Sequence, residues 1–404
     1  MGAESNRRSV RWQVGVASGA AALGVVALVV AACIPDPERP PTGGGPQSAI
    51  SCDAGGPGNF PAANCDPTPN SCPAAIDPTC KIAPECGSTS TCLPMADNSK
   101  SAKWDLRIRR LYATAPAKLT DLQKIIVDKG INLPLKLGCG ESGDGAFNWL
   151  MQIDKAAKTL KTGGAPPATD PFGKGYCFYD STVKGVGPVG PSLAKLDFAS
   201  DTEFSTQPYD RVNVPIFVAG DINNVVVLPI TKAVIKDVKI SADGNCIGSF
   251  NAPAVGKNCV DSDPDQCSRW HTSGTIGGYI TLEDADRVNV DILSETMCIL
   301  LAGVSPKPAD GKCPRDGAGK ITAKGDFCST TGKAGDCLDS FWLSATFAAS
   351  AVKINDGSSD PSCKGGPAPD AGSDSGTPDA APPGDGGKAD AGASDAGSSD
   401  ATTD

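Results

Sequence analysis

Three acidic residues, Glu283, Asp284 and Asp286, follow the predicted strand residues Ile280-Thr281-Leu282 and are the first candidates for chemistry. Two carboxyl groups held about 5 to 9 Å apart can hydrolyse a glycosidic bond. Acidic residues also collect in the first turn of a helix, because they interact favourably with the helix dipole. We favour the helix interpretation and keep a glycan hydrolase as the alternative, with Glu141 as a further candidate carboxylate.

A glycine-rich stretch, Gly138-Cys139-Gly140-Glu141-Ser142-Gly143-Asp144-Gly145, surrounds a possible serine nucleophile. It superficially resembles the Gly-Asp-Ser-Gly sequence of chymotrypsin-like proteases. The single histidine, His271, lies downstream of Ser142, whereas those proteases place it upstream, and Asp144 replaces the second glycine of the Gly-x-Ser-x-Gly elbow. We therefore expect a loop without catalysis by Ser142, and we expect His271 to be a packed or surface residue.

Asp261, Asp263 and Asp265 alternate between Cys259 and Cys267. Their spacing resembles the start of a calcium-binding loop, since hard cations favour clustered carboxylates. The EF-hand pattern fails at its glycine and at its final glutamate. We expect an acidic surface loop, closed by a Cys259–Cys267 bridge, and keep calcium-stabilised adhesion as an alternative. Walker and dinucleotide-binding motifs are also missing from the sequence, so we expect no cofactor.

The amino terminus has the three-part organisation of an export signal. Three arginines among the first eleven residues precede an uncharged stretch, 14–32, that is rich in Val, Ala and Leu. The stretch ends in Val30-Ala31-Ala32-Cys33. This ending resembles the lipobox of bacterial lipoproteins, whose cysteine is acylated and becomes the first residue of the mature chain. An uncleaved membrane helix and an ordinary signal peptide are the alternatives.

The resemblance covers residues 1–33 and implies that Cys33 carries a lipid that anchors the protein to a membrane. Ile34 rather than aspartate follows Cys33. Among lipoproteins this favours the outer membrane over the inner membrane. We therefore expect an exported protein of the cell envelope.

The cysteine count supports export. The chain has 17 cysteines and one histidine, and removing Cys33 leaves 16. In an exported chain an even number predicts disulfide bonds, whereas zinc is disfavoured because paired Cys-x-x-Cys motifs are missing. The sequence leaves the pairing open. The candidates are Cys52, Cys65, Cys72, Cys80, Cys86, Cys92, Cys139, Cys177, Cys246, Cys259, Cys267, Cys298, Cys313, Cys328, Cys337 and Cys363.

The formal net charge is −10, and basic residues are not concentrated anywhere after the signal. Nucleic acid is therefore not expected as a partner. The expected partners are the membrane, through the Cys33 lipid, and a glycan or an envelope protein.

Composition divides the chain into five parts. Residues 1–32 form the signal, and residues 33–50 hold the lipidated cysteine and a Pro- and Gly-rich spacer. Residues 51–100 are a Cys-rich module that is too small to be stable without disulfides. Residues 101–356 form a globular domain. Residues 357–404 are an acidic Gly-, Ala-, Ser- and Asp-rich tail that is expected to be disordered.

Apolar residues alternate with period two through most of the globular domain, which is typical of strands. Pro215 suggests that its strand lies at a sheet edge. Helices are expected at 120–129, capped by Thr120, and at 284–301, where Val288-Asn289-Val290 could instead form a strand. We predict a mainly β domain, an antiparallel β-sandwich-like fold with one or two helices.

These patterns favour an exported, lipid-anchored protein without catalysis, whose disulfide-braced β domain binds a ligand or supports the envelope. The alternative is a secreted, carboxylate-dependent hydrolase of glycans. Exposed Trp149 or Trp270 beside converging carboxylates would favour the hydrolase, because tryptophan stacks on sugars. Scattered acidic groups on a closed sandwich would favour the binding protein.

Overall fold

The computed structural model describes residues 56–65, 92–121, 123, 147–184, 186–217, 220–250, 270–290, 293–358 and 360–365. Strands dominate these ranges and helices are few and short, which confirms the prediction of a mainly β, antiparallel domain.

The strands are β1 (Lys103–Ala115), β2 (Asn148–Asp154), β3 (Thr159–Ala165), β4 (Tyr176–Cys177), β5 (Ser181–Val183), β6 (Gly187–Val189), β7 (Ser192–Ser200), β8 (Glu203–Thr206), β9 (Arg211–Phe217), β10 (Val225–Lys236), β11 (Val238–Lys239), β12 (Cys246–Ile247), β13 (Ser249–Phe250), β14 (Trp270–His271), β15 (Thr275–Thr281), β16 (Asn289–Val290), β17 (Glu295–Thr296), β18 (Ser340–Ala351) and β19 (Ile354–Asn355). The helices are α1 (Ala117–Asp121), α2 (Leu282–Ala285), α3 (Met297–Ala302) and a 3₁₀ turn, Pro361–Lys364.

One antiparallel sheet contains most of the long strands. Its order is β11-β8-β7-β3-β2-β1-β18-β15-β10-β9, and β12 pairs with the end of β18. Strand β11 continues β10 after the single residue Asp237, and β11 pairs with β8. The sheet therefore curls until its two ends meet. Ile235 N of β10 donates to Thr206 Oγ1 of β8 across this seam, at 3.0 Å.

Strand β9 is the last strand in the sheet order. Its Pro215 has no backbone N–H to donate, and an edge strand tolerates this because one of its sides has no neighbouring strand. The position of Pro215 therefore agrees with the prediction of an edge strand. The curled sheet brings β9 against β3, so closely that a Cβ on Gly164 would collide with the Pro215 ring. Tyr209, just before β9, donates its hydroxyl to Leu160 O of β3 at 3.1 Å. The curled sheet thus brings β9 into direct contact with β3, which is not its neighbour in the hydrogen-bonded order.

Strand β18 runs through the centre of the fold, and all of its residues are buried. Its alternate residues from Phe341 to Ala349 belong to the main core. The opposite face is covered by residues 56–65, which precede the predicted domain. Trp342 Nε1 donates to Asn59 O at 3.0 Å, and Thr346 Oγ1 donates to Cys65 O at 2.6 Å. These residues of the predicted Cys-rich module thus pack on the sheet, while the boundary at residue 100 stays a prediction.

Disulfide bonds brace the described part of the chain, as the cysteine count predicts. Their Cα–Cα distances of 4.9 to 6.0 Å are usual for disulfides. Cys92–Cys246 joins the predicted module to the β domain, so the six cysteines of that module do not all pair among themselves. Cys65 is disulfide-bonded as well. The bridges between described residues are Cys92–Cys246, Cys177–Cys363, Cys298–Cys313 and Cys328–Cys337.

The structure corrects the predicted cap at Thr120. Helix α1 already begins at Ala117, so Thr120 lies inside it. Leu119 N and Thr120 N both donate to Pro116 O, and Thr120 Oγ1 donates to Ala113 O at 3.1 Å. Backbone N–H groups in the first turn of a helix have no partner within the helix, so proline, which has no N–H, is favoured there. Pro116 therefore favours a helix that begins before Thr120.

The predicted helix at 284–301 is also wrong as one continuous element. Helix α2 ends at Ala285, the hairpin β16–β17 follows, and α3 begins at Met297. The strand alternative for Val288-Asn289-Val290 is therefore correct at Asn289–Val290. Ser294 in the hairpin turn has φ 52°, a left-handed conformation that a helix cannot contain. Across the described ranges, every helix is too short to span a membrane.

Candidate functional site

The carboxylates after β15 are held by arginines. The Glu283 carboxylate accepts two hydrogen bonds from Arg315, at 2.9 and 3.0 Å. Asp286 is buried and accepts from Arg315 Nη2 (2.9 Å), Cys313 N (2.8 Å) and Thr296 Oγ1 (3.0 Å). Hydrogen bonds from Arg315 to Glu283 and Asp286 raise the pKa of the guanidinium above its usual value. Arg315 thus links its own loop to α2 through charge-assisted hydrogen bonds, which is a structural role.

Asp284 is likewise paired. Its two carboxylate oxygens accept from Arg211 of β9 at 3.1 and 3.2 Å, and Arg287 lies 3.6 Å away. Its backbone N–H donates to Thr281 Oγ1, which caps α2. Glu283 and Asp284 thus occupy the first turn of a helix, as the favoured interpretation expects.

The two tryptophans proposed as a sugar platform are both core residues. Trp149 is 2% exposed and donates Nε1–H to Thr162 Oγ1 at 2.8 Å. Trp270 is also 2% exposed and packs edge-on against Phe250. Neither ring is available to stack on a sugar at the surface.

His271 lies half-buried on β14, at the side of an open depression of about 390 Å³. Polar neighbours there include Lys239, Ser241 and Ser249. The described residues that line this depression contain no carboxylate, so they provide no acid–base partner for the imidazole.

Several predicted residues lie outside the described residues. They include the proposed nucleophile Ser142, the carboxylate Glu141 and the lipidated Cys33. The same holds for Asp261, Asp263, Asp265, Cys52, Cys72, Cys80, Cys86, Cys139, Cys259 and Cys267.

Three groups of described residues have the spacing of metal ligands, but each contains a bridged cysteine pair. A sulfur bound to another sulfur is not a thiolate, which is the form that ligates metals. In the oxidised protein these groups therefore offer no cysteine ligand. They are Cys177, Asp360 and Cys363; Asp286, Cys298 and Cys313; and Cys328, Cys337 and Asp339.

Three buried arginines on β1 were missed by the sequence reasoning: Arg107, Arg109 and Arg110. Arg107 Nε donates to Asn148 Oδ1 at 2.7 Å, and its guanidinium lies 5.8 Å from the centre of the Tyr176 ring. Arg109 Nε donates to Ser350 Oγ. Burial lowers the pKa of Arg109 to about 9, and the charge of Arg107 contributes to the shift. These contacts join β1 to neighbouring strands.

The most site-like feature of the described chain is an apolar pocket at one end of the curled sheet. It contains a cavity of about 100 Å³. Strands β1, β2, β9, β10, β15 and β18 form its walls, and α1, α3 and the hairpin β16–β17 border it. Its lining consists of Leu111, Ala113, Leu119, Trp149, Ile216, Leu228, Ile230, Ile276, Gly277, Val290, Met297, Leu300, Leu301, Leu343, Ser344 and Ala345.

Small residues create the pocket. Ala113 of β1 and Ala345 of β18 are direct cross-strand partners, and both side chains are buried. Larger residues at this pair would fill the space above them. Ser344 is the only polar residue among the described lining residues, and its hydroxyl is 2.7 Å from that of Thr114, with which it shares a hydrogen bond. The pocket is therefore hydrocarbon in character.

Exposure increases from the inner end of the pocket to its mouth. Trp149 and Leu343 are almost fully buried, at 2% and 5% exposure. The residues at the mouth are apolar but only half-buried. They are Leu111, Leu119, Ile216, Leu228, Val290, Met297 and Leu300.

Helix α3 is fixed beside this mouth by its ends. Cys298 in its first turn is bridged to Cys313. Gly303 ends the helix with φ 63°, a conformation that favours glycine, and its N–H donates to Ile299 O. The apolar run Met297-Cys298-Ile299-Leu300-Leu301-Ala302 followed by glycine was a signal in the sequence for a short helix surrounded by apolar neighbours.

Comparison of the chain with protein-family models, with curated proteins and with solved structures gives no match.

Proposed function

We propose that this protein is an exported lipoprotein, anchored through Cys33, whose disulfide-braced β domain binds a small apolar ligand in the pocket beneath α3. The observation that carries the binding proposal is the pocket lining, which is apolar from its inner end to its mouth. Ligand sites in proteins are concave and mostly apolar. Apolar surface at the edge of a concave site often marks a ligand-binding groove.

The anchoring proposal rests on the lipobox-like Val30-Ala31-Ala32-Cys33 and on the disulfides. Stable disulfides form in oxidising compartments outside the cytoplasm. Several acyl chains on one cysteine would hold the protein on the membrane almost permanently, since each buried methylene contributes about 0.8 kcal/mol. The outer membrane is the proposed location, because Ile34 follows Cys33.

We propose binding rather than glycan hydrolysis because the candidate catalytic carboxylates and tryptophans are already held in other contacts. Glu283 and Asp284 each form a two-point ion pair with an arginine. The buried Trp149 and Trp270 offer no stacking surface. These contacts support a binding protein.

A fluorescent polyene such as cis-parinaric acid, an apolar dye without rings, tests the binding proposal. We expect saturable binding of one dye per chain to the mature protein. Leu300→Asp, which places a charge at the mouth, should lower the affinity at least tenfold. The matched control is Leu193→Asp, because Leu193 is 65% exposed on β7, away from the pocket. Equal affinity of the two variants would contradict binding in the pocket.

The anchor is tested by intact-mass measurement after membrane extraction. We expect a chain that begins at Cys33 and carries the mass of its acyl groups. A retained Met1 or a free Cys33 thiol would refute the anchor and leave the binding proposal untouched.

A further inference from the structure

We infer that the pocket takes up the methyl end of an unbranched acyl chain, with the polar head of the ligand remaining in water outside the mouth. This inference rests on the proposed function and names the class of its ligand. It is carried by three features of the pocket: its chemistry, its size and its mouth.

The chemistry of the lining excludes polar groups from the bound end of the ligand. A hydroxyl, amide or charged group buried there would lose its hydrogen bonds to water, because the described lining has only the Ser344 hydroxyl and this is bonded to Thr114. The bound part is therefore hydrocarbon. Sugars, nucleotides and amino acids do not fit this requirement.

The size of the cavity excludes bulky ring systems. An engineered apolar cavity of about 150 Å³ takes up a single benzene ring. The cavity of about 100 Å³ in this protein is smaller. A sterol or another fused ring system is therefore too large for it, whereas a slender chain end fits.

The mouth favours a ligand that continues outward. The half-buried side chains that border it include Leu111, Leu119 and Leu228. Met297 and Leu300 of α3 border it as well. A chain whose end lies in the cavity would cover these side chains with its next methylenes. Methionine adapts to irregular neighbours because its side chain is unbranched and flexible, so Met297 can follow such a chain.

Tryptophan fluorescence can report both the ligand class and its direction. Trp149 lines the inner end of the pocket, and bromine quenches indole fluorescence at short range. The mature chain with Cys33→Ser, which has no acyl chains of its own, is titrated with hexadecanoate brominated at its last carbon or beside its carboxyl group. The same titration of Trp149→Phe gives the contribution of the other tryptophans.

We expect the bromine on the last carbon to quench Trp149, and the bromine beside the carboxyl group to leave it unquenched. Across saturated carboxylates of six to sixteen carbons, the Kd should fall by about fourfold per added carbon until the pocket and mouth are filled, as expected from about 0.8 kcal/mol per methylene. Vesicles of a phospholipid brominated at its chain ends form a second arm. Quenching by free acid alone or by vesicles also supports the inference and identifies the source of the chain.

The inference would be overturned if the bromine beside the carboxyl group quenched more strongly, or if compact hydrocarbons such as adamantane bound while no chain did. In the second case calorimetry would still record a bound apolar ligand, and the proposed function would stand. If neither chains, the polyene dye included, nor compact hydrocarbons bound to the protein, the inference and the binding proposal would fail together.

Discussion

A larger side chain at position 345 should fill the pocket, stabilise the protein and prevent ligand binding. Ala345→Leu adds three carbon atoms to a buried site that borders the cavity of about 100 Å³. Burial of each carbon is worth about 0.8 kcal/mol, so the gain is at most about 2.4 kcal/mol. Imperfect fit against neighbouring strands reduces this gain. We expect the free energy of unfolding to rise by about 0.5 to 2 kcal/mol.

Ala349 offers a matched control on the same strand. It is fully buried in the same core and faces Ile108 and Ile247, but it does not line the pocket. Ala349→Leu therefore adds the same atoms where there is no cavity. Overpacking of this kind costs about 1 to 3 kcal/mol.

Urea unfolding at neutral pH, followed by tryptophan fluorescence, measures both variants, and dye binding is measured on the same samples. We expect the two variants to change stability in opposite directions, and only Ala345→Leu to lose dye affinity, by at least tenfold. If both variants were destabilised to the same extent and both bound the dye normally, the reasoning about the pocket would be refuted.

Three further predictions concern one disulfide bond, one ion pair and one partly buried carboxyl group. Replacing Cys92 and Cys246 with alanine opens a link across 154 residues, so the free energy of unfolding should fall by about 4 kcal/mol in non-reducing urea titrations; a loss below about 1 kcal/mol would contradict the bracing role. Arg315→Ala leaves the buried Asp286 without its cation and should cost about 1 to 3 kcal/mol, whereas Arg315→Lys should cost less in the same assay. Burial raises the pKa of Asp105 above its ordinary 3.8, so the folded state binds a proton at this carboxyl group more tightly than the unfolded state does. The wild type therefore loses stability as the pH rises from about 4 through the raised pKa of Asp105. Relative to the wild type, Asp105→Asn should therefore gain stability over this range in unfolding titrations, and a difference independent of pH would contradict the assignment.

The strands could be predicted because their pattern is local. Alternation of Phe341, Leu343 and Phe347 identifies β18, and Pro215 identifies the edge position of β9, since a residue without an N–H is tolerated there. Each signal depends on residues within one strand. The fold class follows from the sum of such signals.

The pocket could not be predicted, because it depends on residues that are distant in sequence. Ala113 and Ala345 become neighbours only when β1 pairs with β18. An alanine at either position has no special meaning within its own strand. The cavity appears only where both small side chains meet beneath α3.

The buried arginines show a second limit. Charged residues that alternate with apolar residues in a strand usually face solvent, and Arg107 and Arg109 alternate in this way with Leu106 and Ile108. Both side chains are instead almost fully buried, because segments around Leu93 and Tyr176 cover this face. Charged residues can be buried when hydrogen-bond partners are provided, and a sequence alone does not reveal those partners.

The most direct test of the central claim, that the β domain binds hydrocarbon in this pocket, is a crystal structure of the mature protein grown with a terminally brominated acyl chain. Anomalous scattering locates the bromine without reference to the protein density. We predict a single strong bromine peak in contact with Trp149 and Leu343. Bromine only on the outer surface, or a pocket filled by ordered water in its place, would contradict the account.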